Sequence, residues 1–141
     1  MRILFITNLF PPYAVGGYEL NCADTAEKLK KAGHKIYILT GKGKEFKQSR
    51  IIQGLDLNLD LLLKRYDKFF HSRGYLGKIK YNIFNIKNFF TVLRTIKKVK
   101  PDIISLWNIS YLSLSVLSAL KISGVKCVWH TLDQCINHIF D

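Results

Sequence analysis

Two adjacent glycines, Gly16 and Gly17, follow a proline pair in the stretch N-L-F-P-P-Y-A-V-G-G-Y-E over residues 8–19. Without Cβ atoms they let backbone come close to a ligand. A helix starting there would leave its first N–H groups without intrahelical acceptors, pointing at whatever lies before them. The chemistry of such a loop is anion binding, with phosphate as the natural guest; the plain alternative is a tight turn. Near the other end, Cys127, His130, Cys135 and His138 read C-x2-H-x4-C-x2-H, four residue types that ligate zinc. Geometry argues against a metal there. In a strand Cys127 and His130 face opposite sides, and the four-residue spacer is shorter than the usual zinc arrangements.

Three segments must position the glycines. Residues 1–8 (MRILFITN) form an apolar run that fits a strand buried on both faces and leaves no leader before it. Pro11-Pro12 blocks helix and ladder alike, since neither proline has an N–H to donate. A helix is expected over 17–32, with Leu20, Ala23, Ala26 and Leu29 at helical spacing, Lys28, Lys30 and Lys31 at the end that favours cations, and Gly33 as its stop. Residues 35–40 (KIYILT) supply the next strand. The order strand, glycine loop, helix, strand opens an α/β fold with a mainly parallel sheet flanked by helices. Neither common nucleotide signature is present: the loop lacks G-x-G-x-x-G directly after the strand, and Gly41-Lys42-Gly43-Lys44 lacks the rest of a Walker loop.

The 141 residues, 48% hydrophobic, suit one domain with a real core rather than a disordered chain. Three cysteines, Cys22, Cys127 and Cys135, are an odd number and suit reduced thiols in the cytoplasm. No secretory signal is visible, because the apolar start meets prolines instead of a cleavage site. Residues 103–120 run 18 positions without a charge, at the lower limit for a bilayer span. Asn108 and five serines interrupt them, so they read as a strand over 103–107 and a helix over about 110–122, with another strand over 125–132.

Charge is concentrated in the middle. Residues 42–100 hold 15 Lys or Arg and 4 Asp or Glu, which leaves the rest of this +12 chain almost neutral. Leucines alternate with polar residues over 55–61, as on a half-exposed or edge strand. A long helix is expected over 78–100, with Ile79, Ile83, Ile86, Phe90 and Leu93 as its apolar stripe, widened by Phe89, Val92, Ile96 and Val99. The lysines fit a solvated helix face or, beside Tyr66, Phe69, Phe70 and Tyr75, an anionic membrane surface. No nucleic-acid recognition module is visible, and net charge alone gives only unspecific, salt-sensitive affinity.

Taken together, M-R-I-L-F-I-T-N-L-F-P-P, then G-G-Y-E, then L-K-K-A-G-H-K-I-Y-I-L-T resembles the opening of the N-terminal domain of family 4-type glycosyltransferases, enzymes built of two Rossmann-like halves in the GT-B arrangement. The resemblance implies retaining transfer of a sugar from a nucleotide-sugar donor to a glycan or lipid-linked acceptor, with no cofactor and no required metal. It gives Gly16 and Gly17 the donor diphosphate and the N-terminal half the acceptor. V-W-H-T-L-D over 128–133 is similar to the family's strand ending in Thr-x-His-Asp, but Asp133 stands where the family has His and Gln134 where it has Asp. Asp133 is then the candidate catalytic carboxylate, binding a sugar hydroxyl or orienting an acceptor, unless it only turns the chain. Trp107 and Asn108 are candidate substrate-binding residues through their place at a strand's carboxyl end. Residues 1–141 read as a single acceptor-side domain, expected to be incomplete and inactive without a donor-binding domain. The expected place is the cytoplasm, with peripheral contact at the inner membrane face. A second class stays open: a non-catalytic module that keeps the fold and binds a membrane surface or partner protein.

Overall fold

The computed structural model describes residues 1–14, 16–42, 48–57, 85–109 and 112–131. In chain order these form β1 (Arg2–Ile6), α1 (Gly17–Lys31), β2 (Lys35–Gly41), β3 (Ile51–Leu55), α2 (Ile86–Val99), β4 (Ile103–Leu106), α3 (Ser115–Ser123) and β5 (Cys127–Trp129). All five strands are parallel, in the order β3-β2-β1-β4-β5. This is the expected open, Rossmann-like α/β sheet, with its strand order reversing between β1 and β4.

Period-two burial explains the layers. Leu4, Ile6, Leu39, Leu55, Ile104 and Leu106 point to one face, where Val92 of α2 and Val116, Ala119 and Leu120 of α3 cover them. Ile3, Phe5, Ile36, Ile38 and Trp107 point to the other, under Cys22 and Ala26 of α1. Because both faces are covered, β1 is apolar without alternation, as parallel strands generally are. Each such side chain contributes about 1.5–3 kcal/mol by leaving water.

The boundaries follow local chemistry. α1 stops at the Ala32 cap, and Gly33 takes the left-handed φ of 88° that a glycine allows cheaply. At the amino edge, Asp102 accepts the Arg2 N–H at 2.6 Å, and this bond above all holds its carboxyl below the usual range. Residues 103–120 divide into β4 and α3 as expected, although α3 begins at Ser115, later than 110. Among the described residues no helix is long and apolar enough to cross a membrane.

α2 departs from the reading of the sequence in start and in face. Asn85 is extended and caps the helix, accepting N–H bonds from Lys87 (3.0 Å) and Asn88 (3.1 Å), so the helix begins at Ile86 rather than 78. Asn88, wholly buried, accepts the Asp56 N–H at 2.8 Å and donates to the Asp56 carbonyl at 2.8 Å. This paired amide clamp satisfies the chain leaving edge strand β3. It also sets the helix rotation: Asn88, Val92, Thr95 and Val99 face inward, while Ile86 and Phe90, expected in the stripe, lie 59% and 47% exposed. Of the leucines expected to alternate over 55–61, Leu55 is buried in β3, while 58–84 lie outside the described residues.

Asn88→Ala should leave both backbone groups of Asp56 without their partner and lower stability by about 2–4 kcal/mol. Urea unfolding monitored by circular dichroism measures it. Gly41→Ala should cost about 1–3 kcal/mol, since a Cβ there would stand 2.6 Å from the Asn8 carbonyl oxygen and against Leu57. Gly17→Ala, with nothing within 4 Å of the added carbon, is the near-neutral control in the same measurement.

Candidate functional site

In an open parallel sheet the place for a ligand is the crevice outside the carboxyl ends of the strands, where the strand order reverses. Here that is the space beyond β1 and β4. The chain leaving β1 is held there by Asn8, whose N–H donates to the Asn108 carbonyl (2.9 Å) and whose own carbonyl accepts from Gly41 N–H (2.9 Å) and Thr40 Oγ1 (3.2 Å). Its side-chain Oδ1 takes the Leu9 N–H at 2.6 Å and turns the loop toward Pro11-Pro12, whose peptide bond is cis.

The loop delivers Gly16 and Gly17 to the start of α1 at this crevice, as the sequence implied. One finding changes the chemistry. Glu19, three residues after Gly16 and only 3% exposed, returns its Oε2 to the Gly16 N–H at 2.8 Å. The amide expected to meet a phosphate is occupied by a carboxylate of the same chain. Its other oxygen, Oε1, accepts from Asn108 Nδ2 at 3.4 Å, so Glu19 also ties the helix start to the end of β4. Both glycines are exposed, and Gly17, unlike Gly16, has open space where a side chain would stand.

Beside Asn108 lies an aromatic stack. Trp107 is buried, 4% exposed, with Phe5 parallel to it at 6.2 Å and the imidazole of His130 flat against it at 4.2 Å between centroids. Both Trp107 and His130 meet Ser105: the indole N–H donates to Ser105 Oγ at 2.9 Å, and His130 Nε2 lies 3.0 Å from the same oxygen. With the indole donating, Ser105 Oγ still has a proton to give to Nε2 and a second lone pair to accept from Nε2–H, so either neutral tautomer of His130 satisfies the contact. Burial lowers the pKa of His130, so the neutral form is the favoured one. Burial and then the charge of Glu19 push the Cys22 thiol under α1 far above its ordinary range, leaving an inert apolar filler.

Compared with known proteins, the chain matches no family model, and no curated protein is detectably similar to it. Function therefore rests on the crevice itself.

Four candidate substrate-binding residues, Gly16, Gly17, Trp107 and Asn108, come together at its rim. Gly17 and Asn108 are reachable, while Trp107 is a wall behind His130. Asp133, with Cys135 and His138, lies outside the described residues, and Cys127 is exposed on β5, one strand position out of phase with His130. Glu19 and Ser105 were not singled out in the sequence. The signal for Glu19 was its spacing, the third position after a helix cap; for Ser105 it was a hydroxyl in phase with Trp107 in an otherwise aliphatic strand. A groove of about 340 Å³ also runs along α1, floored by Phe10, Ala23, Ala26, Ile36, Ile38 and Ile51.

For His130 the native state binds its proton less readily than the unfolded chain, so the unfolded state takes up more protons as pH falls. Stability should therefore decline as pH drops from the ordinary histidine value near 6.5 toward the lower native value. His130→Phe, which keeps the ring stack, should flatten that part of the profile relative to the parent chain in urea unfolding across pH.

Proposed function

We propose that this chain is the acceptor-side half of a retaining glycosyltransferase, working with a second, donor-binding lobe supplied in the same chain or by another. The observation that carries the reading is a glycine loop between the first strand and first helix, opening onto the switch crevice of a parallel sheet ordered 3-2-1-4-5. The resemblance of its opening residues to family 4-type enzymes supports the same assignment.

Within this reading the crevice has two chemically different sides. Exposed Gly17, free of any side chain, lets a donor diphosphate lie close to backbone at the positive end of α1. Glu19 makes the Gly16 side negative, which disfavours phosphate and favours hydroxyl donors, the groups a sugar presents. Asn108, carrying both amide donor and acceptor, sits where an acceptor hydroxyl would meet the donor sugar. Neutral His130, with Nε2 on Ser105, has Nδ1 as its second polar atom at the neighbouring strand end. Asp133, four positions after Trp129 at the end of β5, keeps the role of candidate catalytic carboxylate.

Titration of the isotope-labelled chain with nucleoside diphosphates and with oligosaccharides, followed by amide chemical shifts, tests the assignment. Expected are shifts at Gly17 for the diphosphate and at Gly16 and Asn108 for the glycan; unperturbed spectra at millimolar ligand would reject it. Glu19→Gln removes the like charge and should tighten diphosphate binding by at least about fivefold, since a charge pair at contact distance is worth about 1 kcal/mol even in water and more beside low-dielectric protein.

A further inference from the structure

The two helix layers differ in charge. On α1 the cations Lys28 and Lys30 are matched by Asp24 (2.7 Å) and Glu27 (3.5 Å). On the opposite layer, α2 and α3 together contain Lys87, Arg94, Lys97, Lys98 and Lys121 and no Asp or Glu at all. All five cations are exposed, and among the described residues none is ion-paired.

Large apolar side chains are displayed among them. Ile86, Phe90, Arg94 and Lys97 succeed one another at i, i+4, i+8 and i+11, a single outward stripe along α2. On α3, Leu114 at the cap lies two turns before exposed Lys121 on the same side of the helix and Ile122 follows it directly; they are 50% and 67% exposed. The inward face of α2 is fully used on the sheet, so Ile86 and Phe90 are not required there. Two helices without an acidic residue that also expose four large aliphatic or aromatic groups match one kind of surface: anionic headgroups over hydrocarbon. Nucleic acid would complement the charge but would leave Ile86, Phe90 and Ile122 in water.

We propose that the outer face of the α2–α3 layer docks on an anionic lipid bilayer, its lysines and arginine on the headgroups and Ile86, Phe90 and Ile122 dipping below them. The contact is shallow, because the helices keep their main apolar faces on the sheet. It is independent of the sugar-transfer reading, so absence of nucleotide or glycan binding leaves it standing.

Vesicle flotation of the whole chain tests it, with phosphatidylcholine alone and mixed with phosphatidylserine, over a range of salt. Binding is expected only to the mixed vesicles and should weaken with salt. Arg94→Gln/Lys97→Gln/Lys98→Gln should lower affinity on the order of a hundredfold, at about 1 kcal/mol per charge. Ile86→Ser/Phe90→Ser, both exposed positions, should also weaken it while leaving the circular dichroism spectrum unchanged. Lys64→Gln/Arg65→Gln/Lys68→Gln, which alters the basic stretch before α2, is the comparison. The proposal is overturned if this last variant abolishes binding while the α2 variants retain it, or if neutral vesicles bind equally well. It is overturned too, in favour of nucleic acid, if vesicles are not bound and an oligonucleotide is, with no effect of the serine substitutions.

Discussion

The exit of β1 at Asn8 is the constraint on which the rest of the structure depends. One backbone unit gives its N–H to the end of β4 and its carbonyl to the end of β2, fastening the central strand to both neighbours where their paths diverge. Such a point cannot take bulk: Gly41 faces the Asn8 carbonyl, and a single added carbon would overlap it. The clamp fixes the directions in which the two connections leave the sheet, one toward α1 and one toward Asn108. The crevice between them is therefore a consequence of sheet geometry, present with or without any ligand.

β1, β2, β4 and α1 were legible because burial on both sheet faces leaves an uninterrupted apolar run, and helix ends carry their own residue types; the edge strands were not, β3 lying at Ile51–Leu55 ahead of the expected alternation and β5 being exposed and only Cys127–Trp129 long. The layers follow strand parity, since Leu4 and Ile6 share a face that Ile3 and Phe5 cannot. The face of α2 was not legible. Its apolar residues are spread widely enough to allow two rotations, and a buried polar group, Asn88, decides between them by answering the backbone of Asp56. Hydropathy scores an asparagine against burial, whereas here its amide is the one side chain that can satisfy a donor and an acceptor at once.

The candidate site was legible in outline and altered in detail for a similar reason. The glycine pair and the strand ends were found by position, but the partner of the Gly16 amide was a side chain one helical turn away, read at first only as the fourth letter of a motif. Ser105 was hidden inside a strand whose other residues are aliphatic. Its meaning appears only when β5 lies beside β4 and brings His130 to the same hydroxyl as Trp107. Contacts between segments far apart in sequence leave no periodic trace, so the polar pairs that shape the crevice are the part that sequence pattern reaches least.

The self-capped helix start bears on what the crevice can select. A bare helix N-terminus attracts any anion, phosphate and sulfate alike, and so discriminates poorly. Placing Glu19 on the first amide makes the same spot repel anions while leaving the space at Gly17 open, so the two ends of the helix start differ in charge. The carboxylate itself is fixed, because Glu19 is buried and held from both sides of the crevice, by Gly16 and by Asn108. A rotating carboxylate on the surface would be screened by water and would select weakly; one held in place at the edge of low-dielectric protein acts with a larger share of its charge. The arrangement thus makes the helix start a polar edge with two ends, one carrying the Glu19 carboxylate and one open at Gly17.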